Sequence, residues 1–470
     1  MSIRLEAPTW LIAGLLAMAL AIGLVAGVDP PIAAAVAIGL GFVVLVLLDL
    51  TLGVCALALL GFLEVLPKIG NLSMAKLAGA LLVLSWIGYV STREHSRGLL
   101  AERPAFAYVL LMFIGWAAIT LAWADNRGAS LHALSRYAPN LVLFPVVFTA
   151  VRSRRDVVRI LGAVVIGAAI AAAVGILKPP SAGAVADAGR ATGTIGDANE
   201  LAAALIVGLF VAGGFAVTRG IDGRARAASA LVVPLCLAGI LLSLSRGGLI
   251  AVAAAAAVAV IVAGRWRARA SLLATVVVAT GLFYFTLLAP PVAQERVTQV
   301  AGGTGRIDLW TVGGRMVEAH PIRGIGVGNF ASSSIHYLLR PGIITRADFI
   351  ITTPKVAHNT YLQVLAEMGA PGLALFLAII GFALGSTLLA ARRFERAGAT
   401  ELEILCRALF VGLFGYLVAS FFISEMYSKI MWVLLAMGPP LLVLANRQLR
   451  DVSAPEEAPP GAASRPAAAS

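Results

Sequence analysis

Residues 201–269 read LAAALIVGLFVAGGFAVTRGIDGRARAASALVVPLCLAGILLSLSRGGLIAVAAAAAVAVIVAGRWRAR. Three apolar runs, expected at 199–218, 228–244 and 248–264, lie in or overlap this stretch. Each is close to the roughly 20 residues a helix needs to cross a bilayer. Basic segments, TRGIDGRAR (218–226) and RWRAR (265–269), bound them on one side, and a tight turn at 244–247 joins the last two on the other. The strict alternation of a β-barrel is absent, so the runs read as membrane helices.

The same pattern extends both ways. Further spans are expected at 9–28, 31–49, 51–66, 73–91, 105–123, 138–151, 157–177, 269–289, 371–391, 404–423 and 427–446. Because 51–66 and 138–151 are short, the expected fold is an all-α polytopic membrane protein of about 12–14 transmembrane helices, with one large helical loop outside the membrane. Composition agrees. The 470 residues are 60% hydrophobic and 13% charged, too little polar surface for a soluble chain of this length. The 48 glycines suit close helix packing in lipid.

The net charge of +12 has a topological reading rather than a nucleic-acid one. The basic loops TREHSRGLLAER (92–103), RSRRDVVR (152–159), 218–226, 265–269 and ARRFER (391–396) all fall on one side of this span list. By the positive-inside rule that side is cytoplasmic, and both termini lie there. The first span follows Arg4 and Glu6 without a cleavage site and reads as a retained anchor. Residues 447–470, rich in Pro, Ala and Ser, read as a disordered cytoplasmic tail. Residues 1–289 thus hold about eleven spans, 290–370 the large loop and 371–446 the last three spans. Short outward loops fall at 124–137, 178–198 and 244–247.

Cys55, Cys236 and Cys406 lie outside the large loop, which therefore folds without a disulfide, and no zinc-type spacing occurs. Within the loop, IDLWTVGGRMVEA (307–319) has helical spacing and ends at His320-Pro321. A second helix is expected from near His358 to Met368, closed by Gly369 and Pro371.

His358, in KVAHNTYLQVLAEMGAPG (355–372), is the residue best suited to take a proton near neutrality, with Asn359, Tyr361 and Glu367 nearby. Its structural alternative is capping a helix at the membrane surface. Arg190, Arg246 and Arg306 stand on the face where few arginines are expected, and their guanidiniums match phosphate oxygens. The alternatives are snorkelling for Arg246, and pairing with Asp187, Asp197 or Asp308 for the others. GIGVGN (324–329) resembles a glycine fingerprint but lacks βαβ context, so no nucleotide site is expected. Glu64 and Lys68 read as an ion pair.

RATGTIGDANELA (190–202), SLSRGGLIA (243–251), GRIDLW (305–310), AHPIRGIGVGNF (319–330) and AHNTYLQVLAEMGAPGL (357–373), in this order, resemble the O-antigen ligase superfamily of bacterial polysaccharide enzymes. The resemblance implies a periplasmic site and transfer of O-antigen from undecaprenyl pyrophosphate to lipid A–core, with inversion and without a metal or other cofactor. It implies His358 as the catalytic residue and Arg190, Arg246 and Arg306 as ligands of the donor pyrophosphate. Asn199, Trp310, Asn359, Tyr361 and Glu367 would support them. In GDANE (196–200), Asp197 and Ala198 replace the Asn-Pro common in relatives. The expected partners are the undecaprenyl-pyrophosphate-linked glycan, lipid A–core and membrane lipids, not nucleic acid. The expected location is the bacterial inner membrane. An O-antigen polymerase, a protein O-oligosaccharyltransferase and a small-solute transporter are the alternatives. The transporter fits less well because the spans are nearly free of charge.

Overall fold

The computed structural model describes residues 49–65, 73–92, 98–178, 189–289, 305–339, 347–351 and 355–453, with isolated positions elsewhere. The described residues form helices joined by turns and contain no strand. The principal helices are α1 (Leu50–Gly61), α2 (Met74–Thr92), α3 (Pro104–Ile119), α4 (Arg127–Ala150), α5 (Arg154–Leu177), α6 (Ala198–Val217) and α7 (Gly223–Leu242). They continue with α8 (Arg246–Val262), α9 (Arg267–Phe283), α10 (Arg306–Ala319), α11 (Phe330–Leu338), α12 (Thr360–Arg396), α13 (Thr400–Ala419) and α14 (Lys429–Ser453). Among the described residues, nine helices are long and apolar enough to cross a membrane, and Leu50–Gly61 and Arg246–Val262 are shorter apolar helices.

Local sequence explains where the helices begin. The Asp49, Asn126, Ser153, Asp197, Asp222, Ser245 and Asn359 side chains each accept a hydrogen bond from a backbone N–H of the first turn. Such caps satisfy donors that a helix start leaves without partners. Helices α6, α13 and α14 form the centre of the bundle, each with most of its apolar stretch buried. Helix α6 packs against α5, α7, α8 and α13, and α14 packs against α4 and α12.

Ion pairs gather the basic loops at one end. Arg154 meets Glu401 at 2.7 Å and donates to the Gly220 carbonyl, while Arg159 pairs with Asp49. Arg265 and Arg407 both bond Glu403, Arg407 also meets Glu395, and Arg447 reaches Glu102. The His358 segment lies at the opposite end.

Three boundaries differ from the sequence reading. Helix α4 starts at Arg127, inside the expected loop at 124–137, because Asn126 caps it and Ala133, Tyr137 and Asn140 continue its buried face. Its polar first turns lower its hydropathy without breaking the helix. Helix α12 runs from the loop into the expected span at 371–391, interrupted only at Gly369, whose φ of 66° and ψ of −173° kink the chain. Helix α14 continues to Ser453, beyond the expected end at 446. The expected spans at 9–28 and 31–49 fall almost wholly outside the described residues, as do Lys68, Asp187, residues 295–304 and the tail from 454.

The loop preceding α12 has its own small core, including Leu309, Val312, Met316, Phe330 and Ile350, packed on Ala366 of α12. The glycine-rich segment 324–329 wedges this unit against the bundle. The Glu367 carboxylate accepts from the backbone N–H groups of Gly328 (2.7 Å) and Phe330 (3.3 Å), and Ser130 donates to the Val327 carbonyl. At Gly326, φ is 101° and an added Cβ would come within 2.6 Å of the Ala124 Cβ. The glycines thus serve close packing. Gly326→Ala is expected to cost about 1–3 kcal/mol through backbone strain alone. The thermal midpoint of the purified protein should drop, and an unchanged midpoint would contradict this packing.

Candidate functional site

His358 occupies a strained turn. Its φ is +49°, and Leu244, with φ +50°, is the other non-glycine residue of positive φ among the described residues. This conformation disfavours side chains and persists where surroundings enforce it, a pattern concentrated at functional sites. Those surroundings are visible. The Trp310 indole N–H donates to the Ala357 carbonyl at 3.1 Å. Asn359 caps α12, accepting from Tyr361 and Leu362 N–H. The Thr360 hydroxyl donates to the Ile423 carbonyl at 2.8 Å, and the Tyr361 hydroxyl donates to the Leu417 carbonyl at 2.7 Å. The ring of His358 bonds to no described residue.

The residues bracing this turn make a test. Asn359→Ala removes the cap, a loss of about 1 kcal/mol. It is expected to lower both the thermal midpoint and activity, whereas Asn359→Asp, which can still cap, should preserve both. Equal behaviour of the two variants would exclude the cap as the cause.

Arg190, Asn199 and Arg246 are brought together by a second turn. Buried Arg190 donates through Nε to the Ser243 carbonyl (2.8 Å) and through Nη2 to Asn199 Oδ1 (2.9 Å). Asn199 Oδ1 also accepts from the Ser245 hydroxyl at 3.0 Å. Ser245 in turn caps α8, of which Arg246 is the first residue. Arg190 therefore staples the loop before α6 to the turn before α8. Arg306 is the first residue of α10, after Gly305 with φ 71°. No described residue hydrogen-bonds its guanidinium.

The charges act on one another. Burial depresses the Arg306 pKa, the charges of Arg190 and Arg246 push it the same way, and Asp197 opposes them. Burial likewise lowers the His358 pKa below the ordinary 6.5, helped by Arg306 and Lys355 and opposed by Asp197. His358 is thus a neutral base at pH 7, beside fixed positive charge. Helices α6, α8, α10 and α12 all start here, so their backbone N–H groups add positive potential. Such a place suits an anion.

Glu367 is buried and bonded to Gln363 (3.0 Å) as well as to the glycine-rich segment, so it supports the loop's packing rather than facing His358. Among the described residues, no group of three or more His, Cys, Asp or Glu side chains could hold a metal ion.

Sequence reasoning missed a polar cluster beside the site. Glu425, in the turn between α13 and α14, is buried and accepts a hydrogen bond from the Tyr416 hydroxyl. Burial first, then the charges of Glu64 and Asp197, raise its pKa, against hydrogen bonds that lower it. With Glu64, Arg136, Glu200 and Lys429, it lines a cavity of about 150 Å³. The signal was available: SEMYSK (424–429) places an acid and a base between two apolar spans.

The fold and site define a multi-pass, all-helical membrane protein with a cationic, histidine-bearing site at one end of its bundle. Residues 230–377 match the family model described as O-Antigen ligase. The family includes ligases and polymerases, membrane proteins of glycan transfer that act on polyprenyl-linked glycans. The match takes in Arg246, Arg306 and His358, whereas Arg190 and Asn199 precede it. No curated protein is similar enough to the chain to count as a match.

Proposed function

We propose that this protein transfers O-antigen from undecaprenyl pyrophosphate to lipid A–core at the periplasmic face of a bacterial inner membrane. The observation that carries this reading is the arrangement of His358, Arg246 and Arg306 at the starts of three helices whose charges act on one another. The basic loops lie at the opposite end of the bundle. That supports a cytoplasmic location for them and a periplasmic one for the site.

In the proposed step, an acceptor hydroxyl oxygen attacks the anomeric carbon of the donor sugar. The bond from that carbon to the pyrophosphate oxygen breaks, and its electron pair leaves with the pyrophosphate. The hydroxyl proton passes to neutral His358. Arg246 and Arg306 neutralise the charge growing on the leaving group, the part a divalent cation plays in many sugar transferases. Arg190 adds its charge and holds Asn199 and the Ser243–Ser245 turn in place. Attack in line with the leaving group inverts the anomeric centre.

The test is transfer by the purified protein in lipid nanodiscs, supplied with undecaprenyl-pyrophosphate-linked glycan and alternative acceptors. Glycan-extended lipid A–core is the expected product. Elongated carrier-linked glycan alone would make the protein a polymerase. No transfer to either acceptor would overturn the reading.

A further inference from the structure

A cavity of about 940 Å³ runs between α2 and α4, beside α1 and the start of α14. Its wall toward the basic-loop end is apolar, formed by Val83, Leu84, Val142 and Leu143. Toward the site end it meets Lys76, Arg136 and Lys429, with Glu64 as the carboxylate among them. Lys76, Leu84 and Arg136 are exposed, so this is a groove on the flank of the bundle. Glu64, Arg136, Tyr427 and Lys429 also line the smaller cavity that contains Glu200 and Glu425. Glu200 lies in the first turn of α6, three residues from Asp197, whose charge acts on both His358 and Arg306.

We infer that this groove seats the acceptor: a membrane lipid carrying phosphate and sugar. The inference rests on the transferase reading above. From the basic-loop end toward the site end the groove is apolar and then cationic, and it adjoins the smaller cavity that holds Glu200 and Glu425. That order matches hydrocarbon chain, phosphate and sugar hydroxyls, since ammonium and guanidinium groups bind phosphate and carboxyl groups hydrogen-bond to hydroxyls. The donor pyrophosphate has its own arginines at the starts of α8 and α10. A reaction between two membrane lipids needs a second lipid-facing approach, and the inference assigns the groove that part.

The probe is a phosphorylated glycolipid acceptor with a photoreactive acyl chain, presented to the protein in nanodiscs without donor. Cross-links are expected on α2 and α4. They should fall at least tenfold, the equivalent of one or more lost charge-assisted contacts, in Lys76→Gln/Arg136→Gln and with a dephosphorylated probe. Arg246→Gln should leave them unchanged. In steady state the double variant should raise the acceptor KM by a similar factor and leave the donor KM alone. Gly79→Phe is a second variant. Gly79 lines the groove and an added Cβ there meets nothing within 4 Å, so the ring should fill the groove without disturbing the helix.

Cross-links indifferent to phosphate would make the groove a plain lipid seat and overturn the inference. So would displacement of the probe by polyprenyl pyrophosphate together with a raised donor KM, which would assign the groove to the donor. Transfer without cross-links to α2 or α4 also overturns it, leaving the transferase reading intact. Phosphate-dependent cross-links without any transfer would instead sink the transferase reading alone.

Discussion

His358→Ala is expected to slow glycan transfer by about 10²–10⁴-fold, the usual contribution of a positioned general base. The protein should stay folded, because the turn is braced by Trp310, Asn359 and Thr360 and not by the imidazole. Removing the side chain from a left-handed residue also leaves the backbone no worse placed, and His358→Gly should relieve strain outright. In the wild type, kcat/KM should rise with pH through a pKa below 6.5 and then flatten. Burial and nearby cations favour neutral His358, which is the form that accepts a proton. Full activity of both variants with an unchanged thermal midpoint would remove His358 from the chemistry.

The second large effect is expected at Arg306. Replacing it with glutamine should lower turnover by about 10²–10³-fold, as for loss of a donor aimed at a developing oxyanion. It should also move the acid limb of the pH profile upward. The Arg306 charge lowers the His358 pKa, so removing that charge raises it. A merely structural arginine would reduce activity without displacing the limb. The pH profile therefore separates the two roles even if Arg306→Gln is somewhat unstable. An unmoved limb with normal turnover would rule out the arrangement proposed here.

Much of the architecture was legible because membrane helices announce themselves by length. The run from α6 to α8 needs only apolar stretches and the arginines between them. The candidate site residues stood out because arginine is unexpected at the end opposite the basic loops. Other features resist a linear reading. Arg190 looks like Arg306 in sequence, but its bonds to Ser243 and Asn199 arise from two turns meeting in space. The first turns of α4 carry Arg127, His132 and Arg136, so hydropathy marks them as loop although Asn126 caps a continuous helix. Glu367 read as a neighbour of His358 at helical spacing. Its partners are backbone groups of Gly328 and Phe330, about forty residues away in the chain. The glycine-rich segment likewise shows its purpose only against Ala124.

The helix starts that surround His358 have a consequence for how a transferase built this way would respond to its surroundings. Peptide dipoles and guanidiniums do not titrate in the physiological range, so in the proposed arrangement acidity would not weaken the hold on an anionic donor, and a protonated His358 would add to it. The proton acceptor beside it is not. In an acidifying compartment the protein would remain loaded with donor while turning over more slowly. It would be a stalled complex rather than an empty one, ready to resume without a fresh encounter when the pH recovers.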